Sequence, residues 1–406
     1  MFRINKATRT LVDSPAKVAI NPATACMDTY DVVILGAGPA GCTCALALHD
    51  AGLKVALVDK SDFPRDKVCG DAIGGRAERV LRELDPDLAD EFSRRAFGVK
   101  AAGWRLVTPR GRSVTARFVK PGRVVRRWDF DHFLFEQLRV KFPTLRLLTG
   151  LTVKSIRNTG EGFELLADGL QLKARFLVGC DGANSIVARQ LVGRTVDPAF
   201  HSGAVRAYYR GIKGVQGNEL LEIYLLKDFL PGYFWIFPLP DGAANVGFGM
   251  LTSDISKRRI DLKAALDAII RSNDELRDRF RFAVREGTVT GFGLPLGGKV
   301  QQLSGDSFLL CGDAASLIDP LNGEGIANAM WSAQIAARHI RQAFKSGAFG
   351  HDSLQAYDRE LYSKLGPELR RKLLMQRVFN RPWLIESLVA LGNRFPWLKD
   401  RVARRL

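Results

Sequence analysis

The chain has 406 residues, of which 46% are hydrophobic and 25% charged, and its formal net charge is +17. These values are ordinary for a soluble globular protein of two domains, and the positive charge predicts attraction to anions such as phosphorylated ligands or anionic lipid surfaces. A primary role in nucleic-acid binding is not expected, because no arginine-rich run is interleaved with aromatic residues and no zinc spacing is present.

Three further classes of protein are disfavoured by the same composition. No window approaches ~18 apolar residues without a charge, so no membrane-spanning segment is predicted. The six cysteines form no disulfide framework, which predicts a reducing compartment and a cytoplasmic location. None of the five histidines has ligand spacing, so no metal site is expected.

Residues 1–28 are interpreted as an extension to the folded chain. They carry four Lys or Arg and two Asp, with no strong periodicity. A disordered tail, or translation from a codon upstream of a natural start at Met27, is the simpler interpretation. An organelle-targeting peptide is the alternative, since such peptides are basic and poor in acids.

Residues 30–60 predict a strand, a glycine turn, a helix and a second strand that ends at Asp59. Gly36 permits the sharp turn, Gly38 allows a pyrophosphate to approach the backbone, and Gly41 lets the helix pack on the strand. The helix N-terminus offers free N–H groups to phosphates, and Asp59 is placed to bind a ribose hydroxyl. Nucleotide binding is therefore predicted; an ordinary tight βα turn is the alternative.

The remaining elements follow from periodicity and turn residues. A loop is predicted over 61–75, around Cys69. Helices are predicted at about 76–84, 128–140, 261–280 and 326–344, followed by a helical, basic region over 351–406. Strands are predicted over 97–127, 145–148, 152–158, 163–167, 172–179, 203–250 and 308–310, with turns at Pro109-Arg110-Gly111 and Pro121-Gly122.

Glycine turns follow a predicted strand in three places, at 36–41, 179–182 and 312–313, and the last two contain an Asp. Ligands of open α/β sheets bind at the carboxyl ends of the strands. An Asp at such an end can accept hydrogen bonds from ribose or ribityl hydroxyls, and small neighbours leave room for a long ligand. Three such turns in this order predict one extended binding site.

The run from Pro231 to Gly249 predicts a hairpin with its turn at Asp241-Gly242. Tyr233, Trp235 and Phe237 alternate and therefore share one face of the strand. They are expected either to form the aromatic wall of a pocket or to pack in the core.

Together these features resemble the flavoprotein superfamily of the para-hydroxybenzoate hydroxylase type, over about residues 29–345. Within it, two stretches are similar to signatures of the geranylgeranyl reductase family. One is Tyr233-Phe234-Trp235-Ile236-Phe237-Pro238 with Gly242 and Val246-Gly247, and the other is Lys67-Val68-Cys69-Gly70. The resemblance implies an α/β protein: a Rossmann-like FAD-binding domain, an inserted β-sheet-rich substrate domain and a helical C-terminal region. It also implies an FAD-bound enzyme that saturates isolated double bonds of polyprenyl chains.

The resemblance also implies roles for particular positions. Gly36, Gly38, Pro39, Ala40 and Gly41 would hold the pyrophosphate, and Asp59 and Lys60 the adenosine end. The other implied cofactor-binding residues are Lys67, Cys69, Gly70, Arg127, Asp181, Gly312, Asp313, Pro320, Gly323, Gly325 and Ile326. Cys69, Tyr233 and Trp235 are the expected catalytic residues. One departure concerns Arg189, which lies one position later than the arginine that usually follows the turn at 181–185.

The implied organisation is discontinuous. The expected FAD-binding domain comprises 29–95, 123–195 and 286–345, and the β-rich substrate domain comprises 96–122 and 196–285. Residues 346–406 form the helical C-terminal region.

The chemistry implied is hydride delivery from reduced FAD to an isolated alkene, which offers no carbonyl to polarise, so positioning in a dry apolar tunnel is the main task. NAD(P)H or a small electron carrier is the expected reductant. Cys69 and Tyr233 are candidate proton donors; Arg65 and Lys67 flank Cys69 and would favour its thiolate. A small buried Cys69 is the alternative.

Two other functions remain open. A flavin monooxygenase or halogenase would share the FAD segments, although halogenases tend to carry Trp-x-Trp-x-Ile-Pro where this chain has Tyr-x-Trp-x-Phe-Pro. A non-enzymatic flavin or lipid carrier is the third hypothesis. In the tail, Leu384, Leu388 and Leu391 have helical spacing beside Trp383, Trp397 and several Arg. This pattern is typical either of a helix at the inner membrane surface or of one that closes the substrate pocket.

Overall fold

The computed structural model describes residues 28–395. The expectations for the extension before residue 28, and for Trp397 in the tail, fall on 1–27 and 396–406, which lie outside the described residues. The described strands are β1 (Asp28–Leu35), β2 (Val55–Val58), β3 (Ala72–Ile73), β4 (Val99–Val107), β5 (Ser113–Val124), β6 (Arg146–Leu148), β7 (Val153–Asn158), β8 (Phe163–Ala167), β9 (Leu170–Gly179), β10 (His201–Arg210), β11 (Leu220–Tyr224), β12 (Tyr233–Pro238), β13 (Ala243–Leu251), β14 (Val284–Pro295), β15 (Ser304–Gly305) and β16 (Phe308–Leu310).

The helices alternate with these strands in the first half of the chain and dominate its end. They are α1 (Pro39–Leu48), α2 (Gly75–Leu84), α3 (Pro86–Arg94), α4 (Arg127–Lys141), α5 (Ile186–Leu191), α6 (Thr252–Arg258), α7 (Leu262–Ser272), α8 (Asp274–Arg279), α9 (Ile326–Ser346), α10 (His351–Val378) and α11 (Pro382–Arg394).

The first sheet has the strand order β15-β16-β9-β1-β2-β6, and β8 and β7 extend it from β9. Pairs among β16, β9, β1, β2 and β6 are parallel. The last four residues of β1 are almost fully buried aliphatic side chains, as expected for a parallel strand covered on both faces. Because α1 and α9 are rich in Ala and other small residues, they pack closely against each other on this sheet.

The second sheet has the order β14-β10-β13-β12-β11-β4-β5-β3 and is antiparallel except between β11 and β4. Helices α7 and α8 bury Leu266, Ile269 and Leu276 in a core that includes Phe234 and Phe248. The opposite face of β12 carries Tyr233, Trp235 and Phe237, which belong to a separate, smaller apolar cluster. This sheet therefore presents two apolar faces, of which one faces its own helices.

Most predicted elements are present, but α3, α5, α6 and β14 were not predicted, and three of the predictions made differ from the structure. Pro121-Gly122 does not form a turn but lies within β5, where a bulge beside Ala101 accommodates it. The helix predicted over 261–280 breaks at Asn273, whose side chain accepts a hydrogen bond from Leu276 N and so begins α8. The domain boundaries drawn at 122–123 and 285–286 cut through β5 and β14, because both are continuous strands of the second sheet.

Candidate cofactor and substrate site

The carboxyl ends of four parallel strands are aligned in register. Leu35 at the end of β1 pairs with both Val58 of β2 and Gly179 of β9, and Gly179 pairs with Leu310 of β16. The three glycine turns that the sequence indicated therefore lie side by side along one edge of the first sheet.

The first of these turns requires glycine at two positions, because any side chain there would clash with the backbone. A Cβ placed on Gly41 would lie 1.7 Å from the carbonyl oxygen of Gly36, and one on Gly36 would lie 2.3 Å from that of Cys180. Gly38 differs, since the nearest atom to its Cβ position is Arg65 Nη2 at 3.6 Å. Its half-buried backbone lines the cavity and is thus open to a ligand, and the free N–H groups of α1 follow it directly.

Asp59 is fixed by the backbone on both sides. Its carboxylate accepts hydrogen bonds from Ala37 N at 2.7 Å and from Ser61 N at 2.8 Å. The carboxylate therefore joins the glycine turn to the end of β2, where it lines the same cavity as Gly38 and the exposed Lys60. This is the position expected for a ribose-binding acid.

Asp181 lies in the turn between β9 and α5. It accepts hydrogen bonds from Ser185 Oγ at 2.6 Å and from Ile186 N at 2.6 Å. Burial raises its pKa, against the effect of these hydrogen bonds. Asp181 and Arg189 both line the cavity, so the shifted spacing of Arg189 does not remove it from the site.

Arg127 is a buried cation at the start of α4. Its guanidinium donates to both carboxylate oxygens of Asp131, at 2.6 and 2.7 Å, in a two-pronged pair. Arg65 Nη1 lies 3.0 Å from the same carboxylate. Two arginines thus share one buried acid beside the cavity, which leaves this part of the wall electropositive.

The third turn places Asp313 at the cavity. Among residues 28–395, its carboxylate has no hydrogen-bond donor, and burial raises its pKa. Lys67 lies nearby, with its Nζ over the ring of Phe292, and burial lowers its pKa to about 8, in part offset by Asp313. Gly312 N, just before Asp313, donates to Ser332 Oγ on α9 at 3.0 Å.

The loop from Asp319 to Gly325 is bound by side chains of helix α10. Asp319 accepts from Leu321 N at 2.9 Å, and Lys372 Nζ lies 2.5 Å from its other oxygen. Lys372 is fully buried and also pairs with Glu368 at 3.0 Å. Every residue of this loop lines the cavity, Pro320, Gly323 and Gly325 among them, together with Ile326 at the start of α9.

The aromatic side chains of β12 form the opposite wall. A Cβ on Gly247 of β13 would lie 2.1 Å from the indole of Trp235, so the glycine makes room for the ring. A Cβ on Gly70 would lie 3.1 Å from Phe237, and one on Gly323 would lie 3.1 Å from Tyr233 Oη. The wall therefore touches both the loop containing Cys69 and the loop that precedes α9.

Cys69 does not have the environment that the sequence predicted. Burial raises its pKa and outweighs the nearby guanidinium of Arg127. The expected preference for the thiolate is wrong, because Cys69 lies in a desolvated position where the neutral thiol is favoured.

A buried polar network that the sequence did not indicate ties the second sheet to the loop that contains Cys69. Asn245 Nδ2 donates to the carbonyl of Cys69 at 2.7 Å and to Asp71 at 2.8 Å, while its oxygen accepts from Trp235 Nε1 at 2.9 Å. Tyr208 also donates to Asp71, at 2.9 Å. The one available signal was a single polar residue within the apolar strand β13.

All these walls enclose one cavity of about 1710 Å³. Pockets for single small molecules usually measure ~300–1,000 Å³, so this volume admits a dinucleotide and a second ligand together. The open backbone at Gly38, the fixed carboxylate of Asp59 and the carboxylate of Asp313, which has no donor among residues 28–395, fit the pyrophosphate, ribose and ribityl groups of FAD. The aromatic wall presents mainly apolar surface and therefore suits an apolar ligand better than a charged one.

Comparisons with known proteins agree with this division. The family model for an FAD-binding domain matches residues 29–207, and the model for the geranylgeranyl reductase catalytic domain matches residues 203–289. A menaquinone reductase of Mycobacterium tuberculosis is 34% identical over 76% of each chain. The chain belongs to the geranylgeranyl reductase family. It is an FAD-dependent oxidoreductase, and the fold class and resemblance inferred from its sequence are confirmed.

A second relative in this family is a digeranylgeranylglycerophospholipid reductase of Methanothrix thermoacetophila, 30% identical over 86% of this chain and 88% of its own. Among solved structures, a geranylgeranyl bacteriochlorophyll reductase-like protein from Thermoplasma acidophilum matches with a TM-score of 0.79 and 22% identity, over 94% of this chain and all of its own. A flavin-dependent brominase matches with a TM-score of 0.77 and 23% identity over 93% of each chain. The two structures share the fold with this chain.

Proposed function

We propose that this protein is an FAD-dependent reductase that saturates C=C bonds of a polyprenyl lipid or of a prenyl side chain. The observation that carries the proposal is that one cavity joins the dinucleotide edge of the first sheet to the aromatic face of β12. The reductase names of the two relatives support the same substrate class.

The residues at the sheet edge are proposed to hold FAD. Gly36, Gly38, Pro39, Ala40 and Gly41 with the start of α1 would bind the pyrophosphate, Asp59 and Lys60 the adenosine ribose, and Asp313 the ribityl chain. Arg127, Asp181 and Lys67-Val68-Cys69-Gly70 would complete the pocket, and Gly312, Pro320, Gly323, Gly325 and Ile326 would border the ring. When reduced, FAD supplies hydride.

The side chains of β12 are proposed to position the prenyl chain. Trp235 and Phe237 would exclude water from the reacting bond. Water binds weakly to such an apolar wall, so the prenyl chain would displace it readily. The hydroxyl group of Tyr233 donates a hydrogen bond to the carbonyl oxygen of Asn322 at 2.6 Å, and burial raises the pKa of Tyr233. These features favour a role for Tyr233 in shaping the cavity.

The reductant is proposed to be NAD(P)H or a small electron carrier that acts without a second nucleotide domain. The sequence contains one full dinucleotide fingerprint, at Gly36–Gly41. A carrier that binds briefly at the flavin would need no further fold of this kind.

An anionic membrane surface is the proposed source of the lipid. Trp383, Leu388 and Leu391 are 61%, 42% and 44% exposed on α11, and Leu388 also lines the cavity. Exposed Arg377, Arg381 and Arg394 flank them. Among residues 28–395 no helix is both long and apolar enough to cross a bilayer, so contact through α11 would be interfacial.

Sedimentation with vesicles tests the surface contact. Wild type is expected to bind vesicles that contain anionic lipid and to lose most binding in Trp383→Ser/Leu391→Ser, with FAD content unchanged. Val284→Ser, at a 67% exposed apolar residue of β14, is the control. Equal binding of all three proteins would contradict the proposed contact.

Product analysis tests the reductase proposal. Purified protein, a reductant and geranylgeranyl lipids are expected to yield products heavier by two hydrogens per saturated bond. The solved halogenase relatives motivate a control with oxygen and halide. A hydroxylated or halogenated product, with no saturated one, would favour the monooxygenase or halogenase alternative.

A further inference from the structure

Glu324 lines the cavity wall, and its carboxyl group has none of the roles proposed above. It lies in the loop between Asp319 and α9, and its Oε1 is buried without a hydrogen-bond partner in the described part of the chain. A Cβ built on Gly74 would lie 2.9 Å from that oxygen, so the carboxyl packs against the end of the loop that contains Cys69.

The backbone holds Glu324 firmly. Its N–H donates to Asn322 Oδ1 at 2.9 Å, and its carbonyl accepts from Asp319 N at 2.9 Å. Asp319 is itself fixed by the buried Lys372. A rigid support of this kind is what an acid that must meet a bound substrate requires.

The charged groups that face Glu324 come from three elements. Arg76 of α2 and Lys372 of α10 favour its carboxylate, while Asp319 of the same loop and Glu368 of α10 disfavour it. Burial is the largest influence and raises the pKa of Glu324. The neutral acid, which carries a proton to give, is therefore favoured relative to an ordinary glutamic acid.

Saturation of an isolated alkene needs a proton as well as a hydride. The alkene has no heteroatom that could be polarised, so the proton must come from a comparatively strong acid held in the apolar cavity. Phenols and thiols are weaker acids than carboxyl groups by several pKa units. Tyr233 and Cys69 are weaker still here, since burial raises the pKa of each.

We propose that Glu324 is the catalytic acid that protonates the alkene. This role rests on the proposed function. The O–H bond of the carboxyl breaks as the π bond opens and a C–H bond forms at one alkene carbon. The other carbon receives hydride, with its two electrons, from reduced FAD, which is oxidised. The carboxylate of Glu324 then regains a proton from water.

The test compares Glu324→Gln and Glu324→Asp with the matched control Glu78→Gln. Glu78 is a half-buried carboxyl of α2 that pairs with Arg123 and does not line the cavity. Under anaerobic conditions, reoxidation of bound reduced FAD by a prenyl lipid is expected to slow by about 100-fold or more in Glu324→Gln. Glu324→Asp should recover part of the rate, and the control should match wild type.

A second readout is independent of turnover. The infrared difference between wild type and Glu324→Gln at neutral pH is expected to contain the carbonyl stretch of a protonated carboxyl, which shifts in D₂O. The wild-type rate should fall as pH rises through the pKa of Glu324, and this limb should vanish in Glu324→Gln.

Failure of the inference is separable from failure of the proposed function. Wild type that saturates prenyl bonds while Glu324→Gln stays within about threefold of its rate would overturn the role of Glu324 alone. A missing carboxyl band would do the same. Wild type that saturates no prenyl bond would overturn the proposed function, and the catalytic role with it, whatever the infrared spectrum shows.

Discussion

The two walls of the cavity are constructed in different ways. At the sheet edge, glycine contacts and backbone-bound carboxylates define the surface, and most of them come from short, local turns. At the aromatic wall, side chains from β12, β13, the loop around Cys69 and the loop before α9 meet across large distances in sequence. The sheet edge is thus specified by backbone geometry and the aromatic wall by tertiary packing. Substitutions at the edge should therefore affect FAD binding, and substitutions at the wall should affect binding of the prenyl lipid.

Gly41 and Gly38 provide the largest expected contrast at the edge. Gly41→Ala would force a Cβ to 1.7 Å from the Gly36 carbonyl oxygen. A loss of more than about 3 kcal/mol in the free energy of unfolding is expected, above the usual range for overpacking, because the clash is with backbone that cannot move aside. Gly38→Ala should fold normally but bind FAD weakly, because its Cβ meets only Arg65 at 3.6 Å and projects where a phosphate would approach. Denaturant unfolding and flavin titration measure both, and a Gly38→Ala protein with wild-type FAD affinity would contradict this view of the edge.

Lys372 connects α10 to the loop before α9. Lys372→Met would leave Asp319 buried without its cation, and the free energy of unfolding is expected to fall by about 3–5 kcal/mol. Lys364→Met is the matched control on the same helix, since Lys364 pairs with Glu360 at the surface. This substitution should lower the free energy of unfolding by less than about 1 kcal/mol. Equal effects in chemical denaturation would show that the buried pair does not anchor the loop.

Asn245 connects Trp235 of the aromatic wall to the loop around Cys69. Asn245→Leu keeps the size of the side chain but leaves Trp235 Nε1, the Cys69 carbonyl and Asp71 without their partner. A loss of about 3 kcal/mol in stability is expected from these buried polar groups. FAD affinity should stay within a few fold, whereas affinity for a prenyl lipid should fall. Reversed effects on the two affinities would refute the separation of the walls.

Asp71 predicts a pH dependence of stability. Burial raises its pKa to about 6, despite hydrogen bonds from Asn245 and Tyr208. Since the folded pKa exceeds the unfolded value of about 4, its stabilising contribution is complete below that value and is lost as pH rises through 6. The free energy of unfolding of wild type, relative to Asp71→Asn, should fall by about 2 kcal/mol between pH 4 and pH 7. A constant difference over this range would contradict the burial effect.

The same contrast explains what could be predicted from the sequence. Gly36, Gly41 and Asp59 were identifiable because a local backbone conformation demands those residues at that spacing. The partners of Lys372 were not, since a lysine in a basic helical segment looks like a solvent-facing charge until the fold buries it. The protonation of Cys69 was predicted in the wrong direction, because neighbours in sequence reveal charge but not desolvation. Pro121-Gly122 was mistaken for a turn because a bulge in β5 depends on pairing with β4.

The central claim is that the FAD edge and the aromatic wall serve one reaction in a shared cavity. The most direct measurement is to reduce bound FAD photochemically without oxygen, add a geranylgeranyl lipid, and follow the flavin absorbance and the mass of the lipid together. The account predicts that the oxidised spectrum returns while the lipid gains two hydrogens for each flavin oxidised. A flavin that remains reduced beside an unchanged lipid, and is reoxidised only when oxygen is admitted, would contradict it.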